Sequence, residues 1–283
     1  MQTPSLQLLG PVALLALASA PMHSASAAAP QVTDQPILII GASYADGRLP
    51  FDDDLQAPFG GSSVGFGSYL SLGDALVKRG AFVINEGQAG ATSFARDFCL
   101  PNVCIPGVGW QSYETQLHKA VARVALPNPA DPTQILGYNA QYVYISVAND
   151  CLLSGAAGVP QLDSAPCTQP EVDAYLDRIV AVGQSVEALG LVPIFSKYPD
   201  YADLDLATQA AATGLVWVAD EAQYGAIAAT WEDRIVADLP DAILIDAWKG
   251  LETIDGLHPT PKSALKAARR VRKAITEYEA ETP

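Results

Sequence analysis

Histidine, the side chain best suited to moving protons near neutral pH, occurs three times in the chain, as His23, His118 and His258. His23 falls in an uncharged amino-terminal stretch, and His118 stands beside Lys119 on an amphipathic segment where a surface position is expected. His258 is different. It sits in Asp255-Gly256-Leu257-His258-Pro259, where Pro259 disfavours α conformation at His258 and Gly256 permits a tight turn. The carboxylate of Asp255 can then bond Nδ1 of His258, fixing the tautomer and leaving Nε2 as a base. A serine, Ser43, ends the apolar run 36–41 in Gly41-Ala42-Ser43-Tyr44. Two further apolar runs end in segments that offer amide donors: Asn85 to Ser93, which contains Gly90, and Ala148-Asn149-Asp150. A nucleophile, an oriented base and amides aimed at developing oxyanion charge are the parts of an acyl-transfer site. Each residue alone is an ordinary turn former. Their joint placement at strand ends carries the chemical reading.

Five short apolar, largely β-branched runs must supply those strand ends: 36–41, 81–85, 141–147, 191–196 and 242–247. Runs apolar on both faces suit a parallel sheet covered by helices on each side. Segments of helical periodicity lie between them, over 68–79, 113–125, 171–189 and 220–239. The fold class expected is therefore α/β, a doubly wound, five-stranded and mainly parallel sheet. A last helix begins with Thr260 as N-cap and Pro261 at its first position, and runs over 262–278. Its six basic residues, Lys262, Lys266, Arg269, Arg270, Arg272 and Lys273, read as a solvated face before they read as a docking surface. The segment 127–132 (PNPADP) reads as a loop. Three long connections, 43–61, 92–109 and 150–170, each follow a carboxyl strand end, where open α/β sheets bind ligands.

The 283 residues carry 16 Lys and Arg against 31 Asp and Glu, a net charge of −15 that would repel phosphates over most of the surface, so nucleic acid is not an expected partner. With 49% hydrophobic and 17% charged residues, one globular domain of this length is expected. The apolar stretch from Leu8 to Ala20, followed by small residues up to Ala29, has the pattern of a secretory signal peptide. Residues 1–27 are expected to be that leader and 28–283 the mature domain, secreted or periplasmic, with no stable membrane anchor. Four cysteines, Cys99, Cys104, Cys151 and Cys167, are then disulfide candidates; local pairing within 99–104 and 151–167 is favoured among three connectivities. Asp52-Asp53-Asp54 reads as a solvated acidic turn, and no metal or organic cofactor is expected. Tyr44, Phe51, Phe59, Phe66, Phe94, Phe98 and Trp110 could line a pocket or pack the long loops down.

Taken in order, these segments resemble the blocks of the SGNH hydrolases, the GDSL-type esterases and lipases, from Ile37 to His258. The resemblance implies a flavodoxin-like sheet and Ser43 as nucleophile. It places Gly90 (in N-x-x-x-x-G-x-T-S) and Asn149 with Ser43 in the oxyanion hole, and pairs Asp255 with His258 as the D-x-x-H couple. Two positions depart from the family pattern: Ala42 stands where the family has Asp, and Val147 where it has Gly. The activity implied is hydrolysis of carboxylic esters, of lipid or of acetylated carbohydrate, without a cofactor. Acyl transfer to a sugar or alcohol, and a catalytically silent glycan- or lipid-binding module, are the alternatives on the same fold.

Overall fold

A computed structural model describes residues 35–47, 69–100, 103–148, 150–154, 166–213 and 216–282. Strand β1 (Ile37–Ile40) leads to helix α1 (Leu72–Lys78) and β2 (Val83–Asn85). A hairpin of β3 (Arg96–Leu100) and β4 (Val103–Trp110) precedes α2 (Tyr113–Ala122), and a second hairpin joins β5 (Ala125–Asn128) to β6 (Asp131–Tyr138). Then come β7 (Tyr142–Ile145), β8 (Leu153–Ser154), α3 (Gln169–Ala188) and β9 (Val192–Ser196). After α4 (Leu206–Thr213) and β10 (Val216–Trp217), α5 (Glu221–Asp238), β11 (Ile243–Ile245) and α6 (Pro261–Glu281) complete the chain.

The main sheet has the order β11-β9-β7-β1-β2 and is parallel throughout, with Ile37 level with both Val83 and Tyr142. Numbered as the five strands succeed one another, this is 2-1-3-4-5, the flavodoxin-like order whose switch point lies between β1 and β7. The chain leaves β1 in one direction to reach β2, then returns to add β7, β9 and β11 on the other side. Right-handed crossovers therefore put the helices on opposite faces. Accordingly α1 packs with α6, while α2, α3 and α5 pack in succession. All four residues of β1 and of β7 are buried, as two covered faces require. Leu38, Ile39 and Ile40 have no exposed surface, and each contributes about 1.5–3 kcal/mol by burial.

All five sheet strands fall inside the expected runs, and helix starts follow capping chemistry. Ser112 accepts from Thr115 N–H at 3.1 Å, Asp220 from Gln223 N–H at 2.8 Å, and Thr260 from Ser263 N–H at 3.3 Å ahead of Pro261. Helix α1 starts at Leu72 with Ser71 as its N-cap, four residues inside the expected span. Two expected loops are strands instead. Residues 127–132 lie in the hairpin β5–β6, where Pro127 and Pro132 are tolerated in the strands because the two-stranded ribbon stands outside the main sheet and its register shifts around Pro127, while Pro129 falls in the turn. Within 92–109 the chain forms β3–β4, with Cys99 and Cys104 opposite one another in the backbone register; their side chains lie outside the described residues. Cys151 and Cys167 form a disulfide with a Cα–Cα distance of 5.4 Å. Residues 1–27, the acidic run 52–54, and Phe51, Phe59 and Phe66 also lie outside the described residues.

Candidate active site

The apolar strand β1 ends in a turn that only glycine can open. Gly41 has φ +134°, and a Cβ there would stand 2.0 Å from Ser146 Oγ on the neighbouring β7 chain. Gly41 N–H donates to Gln116 Oε1 at 2.7 Å and Ala42 N–H to Ser146 Oγ at 2.9 Å. The carbonyl of Ala42 accepts from the N–H groups of Ala45 (2.9 Å) and Asp46 (3.2 Å), which closes the turn around Ser43. The Ser43 residue is 6% exposed, and its carbonyl accepts from the Tyr69 hydroxyl at 2.7 Å. Ala42 is buried, so the family's carboxylate position is an apolar wall here.

His258 stands in a loop pinched at its neck: Ile254 N–H donates to the His258 carbonyl at 2.8 Å and Thr260 N–H to the Glu252 carbonyl at 2.8 Å. Gly256 has φ +93°, and a Cβ there would stand 2.0 Å from the Asp205 carbonyl oxygen, so this turn too needs glycine. Asp255 uses both carboxylate oxygens. Oδ1 accepts from the N–H groups of Leu257 (3.0 Å) and His258 (2.7 Å), and Oδ2 lies 2.6 Å from His258 Nδ1. Burial pushes this carboxyl up, but the imidazole bond, the nearby imidazole charge and the two backbone donors together take it down to about 2. The ionised carboxylate holds a proton on Nδ1 and leaves Nε2 to accept. The imidazole is buried, and His118 is exposed on α2, as expected of a surface histidine.

Two tyrosines bring the turn after β1 and the 252–260 loop together. The Tyr69 ring stacks on the His258 imidazole with centroids 4.3 Å apart and planes at 15°. Tyr44 donates its hydroxyl to the Leu257 carbonyl at 3.0 Å and packs on Trp248 at 4.7 Å. Nothing local in the sequence marks Tyr69, because its partners are 26 and 189 positions away.

Gly90 follows β2 at φ +83°, in a turn closed by Ala91 N–H on the Gln88 carbonyl at 2.9 Å. Gln88 N–H donates to the Gly41 carbonyl at 3.0 Å, which ties this turn to the one that holds Ser43. Trp110 donates Nε1–H to the Ala89 carbonyl at 2.7 Å. Because a trans peptide points its C=O and N–H in opposite directions, that bond aims the N–H of Gly90 away from the indole. Arg96 bonds the Gly90 carbonyl and lies 4.9 Å over the Trp110 ring, and burial pulls its guanidinium down to about 10 against the pull of Asp150.

Asn149 lies outside the described residues, but both of its neighbours are fixed. The Ala148 carbonyl accepts from the Tyr198 hydroxyl at 2.8 Å, and that hydroxyl is 2.6 Å from the Tyr175 hydroxyl. Buried Asp150 accepts from Ser93 N–H at 2.8 Å, from the Ser93 hydroxyl, and from Arg178 at 3.2 Å; burial pushes its carboxyl up against these partners. Val147 is 3% exposed and its carbonyl accepts from the Tyr113 hydroxyl at 3.1 Å, so the valine is absorbed by the core. Of the aromatics singled out in the sequence, Tyr44, Phe94 and Trp110 pack the frame of the site, Phe94 beneath Arg178 at 5.2 Å. Phe98 has its side chain outside the described residues. Gln116, buried on α2, had one sequence signal: a polar residue on an apolar helix face.

Among the described residues, no group of three or more His, Cys, Asp or Glu side chains is placed to hold a metal ion. No described helix is long and apolar enough to cross a membrane. The six basic residues of α6 are largely engaged within the chain: Lys262 and Lys266 on Glu252, Arg270 on the carbonyls of Ala247 and Lys249, Arg272 on that of Arg79, and Lys273 on Glu277.

No protein-family model matches the chain, and no match was found among curated proteins. Solved structures do match. The chain is similar to Est24, a carbohydrate acetylesterase from Sinorhizobium meliloti, at 13% identity and TM-score 0.53 over 86% of this chain and 99% of that one. A carbohydrate acetylesterase family member from the same species gives 15% identity and TM-score 0.50, over 86% and 98% of the two chains. A candidate arylesterase from Agrobacterium tumefaciens gives the same identity and TM-score over 86% and 99%. With the sheet order, the crossovers and these neighbours in agreement, the chain has the fold of the SGNH hydrolases.

Proposed function

We propose that this chain is an exported serine esterase with Ser43 as nucleophile, His258 as base and Asp255 as its orienter. The observation that carries the reading is the Asp255–His258 pair at 2.6 Å, its imidazole buried and joined through Tyr69 to the turn that presents Ser43. Nε2 of His258 takes the Ser43 proton as Oγ attacks the ester carbonyl, and Asp255 stabilises the imidazolium formed. The N–H groups of Ser43 and Gly90 and the side-chain amide of Asn149 receive the oxyanion. His258 then gives its proton to the departing alkoxide, and water, activated by the same imidazole, frees the acyl group. Two of the structural neighbours are carbohydrate acetylesterases, so acetylated carbohydrate is the first substrate class to try. The leader over residues 1–27 would export the remaining domain, and a disulfide between Cys151 and Cys167 suits an oxidising compartment.

Labelling of the chain from residue 28 with a fluorophosphonate, mapped by peptide mass spectrometry, tests the reading. Modification of Ser43 in the wild type and none in His258→Ala is expected. A folded, oxidised wild-type chain that remains unlabelled would refute the assignment and favour a silent binding module.

A further inference from the structure

Tyr69 has no part in the chemistry described above, yet it touches both ends of the proton path. It stands between the turn after β1 and Ser71, the N-cap of α1. Its ring is stacked on the His258 imidazole at 4.3 Å with planes 15° apart, and its hydroxyl donates to the carbonyl of Ser43 at 2.7 Å, with Asp46's carbonyl at 3.3 Å. We propose that Tyr69 is a positioning residue of the esterase site, whose hydroxyl fixes the Ser43 peptide and whose ring face stabilises His258 as it becomes imidazolium. This rests on the reading of Ser43 and His258 as nucleophile and base.

Each half of the side chain has a separate physical task. The bond from Asp255 holds the imidazole at Nδ1, and a ring lying parallel to its face opposes rocking about that contact. The π face is also electron-rich, so it attracts a cation more than a neutral ring. The attraction therefore grows as the Ser43 proton arrives on Nε2, which is a gain in the transition state rather than in the resting site. Tyr69 itself neither gives nor takes a proton. Burial, with the carboxylates of Asp46, Asp255 and Asp74 nearby, holds its phenol well above the ordinary range, so the donor to Ser43 persists through the working pH. Among the described residues, the groups around the imidazole include Asp255 from its own loop, Tyr69 from the segment before α1, Asp46 from the turn after β1 by way of Tyr69, and the Tyr44 hydroxyl at Leu257.

The test is the pH profile of kcat and KM on p-nitrophenyl acetate for the wild type, Tyr69→Phe and Tyr69→Leu, with Ser43 labelling and circular dichroism run on each. Tyr69→Phe keeps the ring and loses one neutral hydrogen bond, so kcat is expected to fall about fivefold with the acid limb unmoved. Tyr69→Leu keeps the site dry but removes the π face. The acid limb of kcat/KM should then move to lower pH by about half a unit to one unit, with a larger loss in kcat. Replacement of Tyr69 by pentafluorophenylalanine preserves shape while reversing the ring's charge distribution, and it should move the limb as leucine does even if the leucine chain does not fold. Labelled, folded chains whose acid limb is unmoved in both the leucine and fluorinated forms would overturn the role of Tyr69 alone. A wild type that does not label at Ser43 would overturn the esterase reading and this inference with it.

Discussion

Asp255 divides its two carboxylate oxygens between two partners, and the division explains why four residues can specify an oriented base. Oδ1 holds the backbone of the turn and Oδ2 holds the ring that the turn presents. All of these contacts lie within three positions, which is why the pair was legible in the sequence, whereas Tyr69 and Gln116 act across long separations and left little trace there. Asp255→Asn places an amide opposite Nδ1 and favours the tautomer with its proton on Nε2, so kcat is expected to fall by about 10⁴-fold with little change in KM. The stability of the chain should follow the same carboxylate. Its folded value of about 2 lies below the ordinary value of about 3.9, so its contribution is complete above about pH 4 and fades as pH falls toward 2. Calorimetric scans should therefore show wild type and Asp255→Asn converging in Tm across that window, and a gap that stays constant would mean the carboxylate contributes nothing through its charge.

A helix and two strand ends, rather than any one loop, set the position of Ser43. Gln116 projects from the buried face of α2 to the Gly41 N–H, and Ser146, just past β7, holds the next N–H. Gln116→Leu keeps the volume but leaves a buried donor unsatisfied, a loss of about 1–3 kcal/mol. For a domain of this size the Tm should fall by about 2–12 °C. Because a displacement of about 1 Å can cost 10²-fold, kcat should fall more than stability alone explains. Equal rates per folded molecule in the two chains would show that the turn holds itself. The five sheet strands were legible because runs such as 37–40 are apolar on both faces, a pattern that loops do not show. The hairpins β3–β4 and β5–β6 were not. Their strands pair only with each other and stay outside the main sheet, so they need no apolar alternation, and Pro127 and Pro132 pointed to a loop.

Across the whole molecule, the site is a meeting of segments from both halves of the chain, and the disulfide and net charge act on that assembly. The bond between Cys151 and Cys167 closes a 16-residue separation directly beyond β7, beside Asp150. Its reduction should remove about 3 kcal/mol and lower Tm by roughly 6–12 °C, seen as a difference between scans with and without reductant. Charge acts over longer distances. The chain carries −15, and none of the first 30 residues is charged, so removal of a leader would leave that value intact. The positive charges of α6 are already counted in that net value. An anionic ester therefore approaches against repulsion that is screened over about 10 Å at 0.1 M salt. Between about 0.01 and 0.15 M salt, kcat/KM for an anionic ester should rise severalfold, a neutral ester of the same acyl group should change little, and a cationic one should fall. The neutral ester separates screening from any effect of salt on folding. Equal salt responses for the anionic and cationic esters would mean that the mouth of the site is shielded from the net charge, and the local field would then have to come from residues close to Ser43.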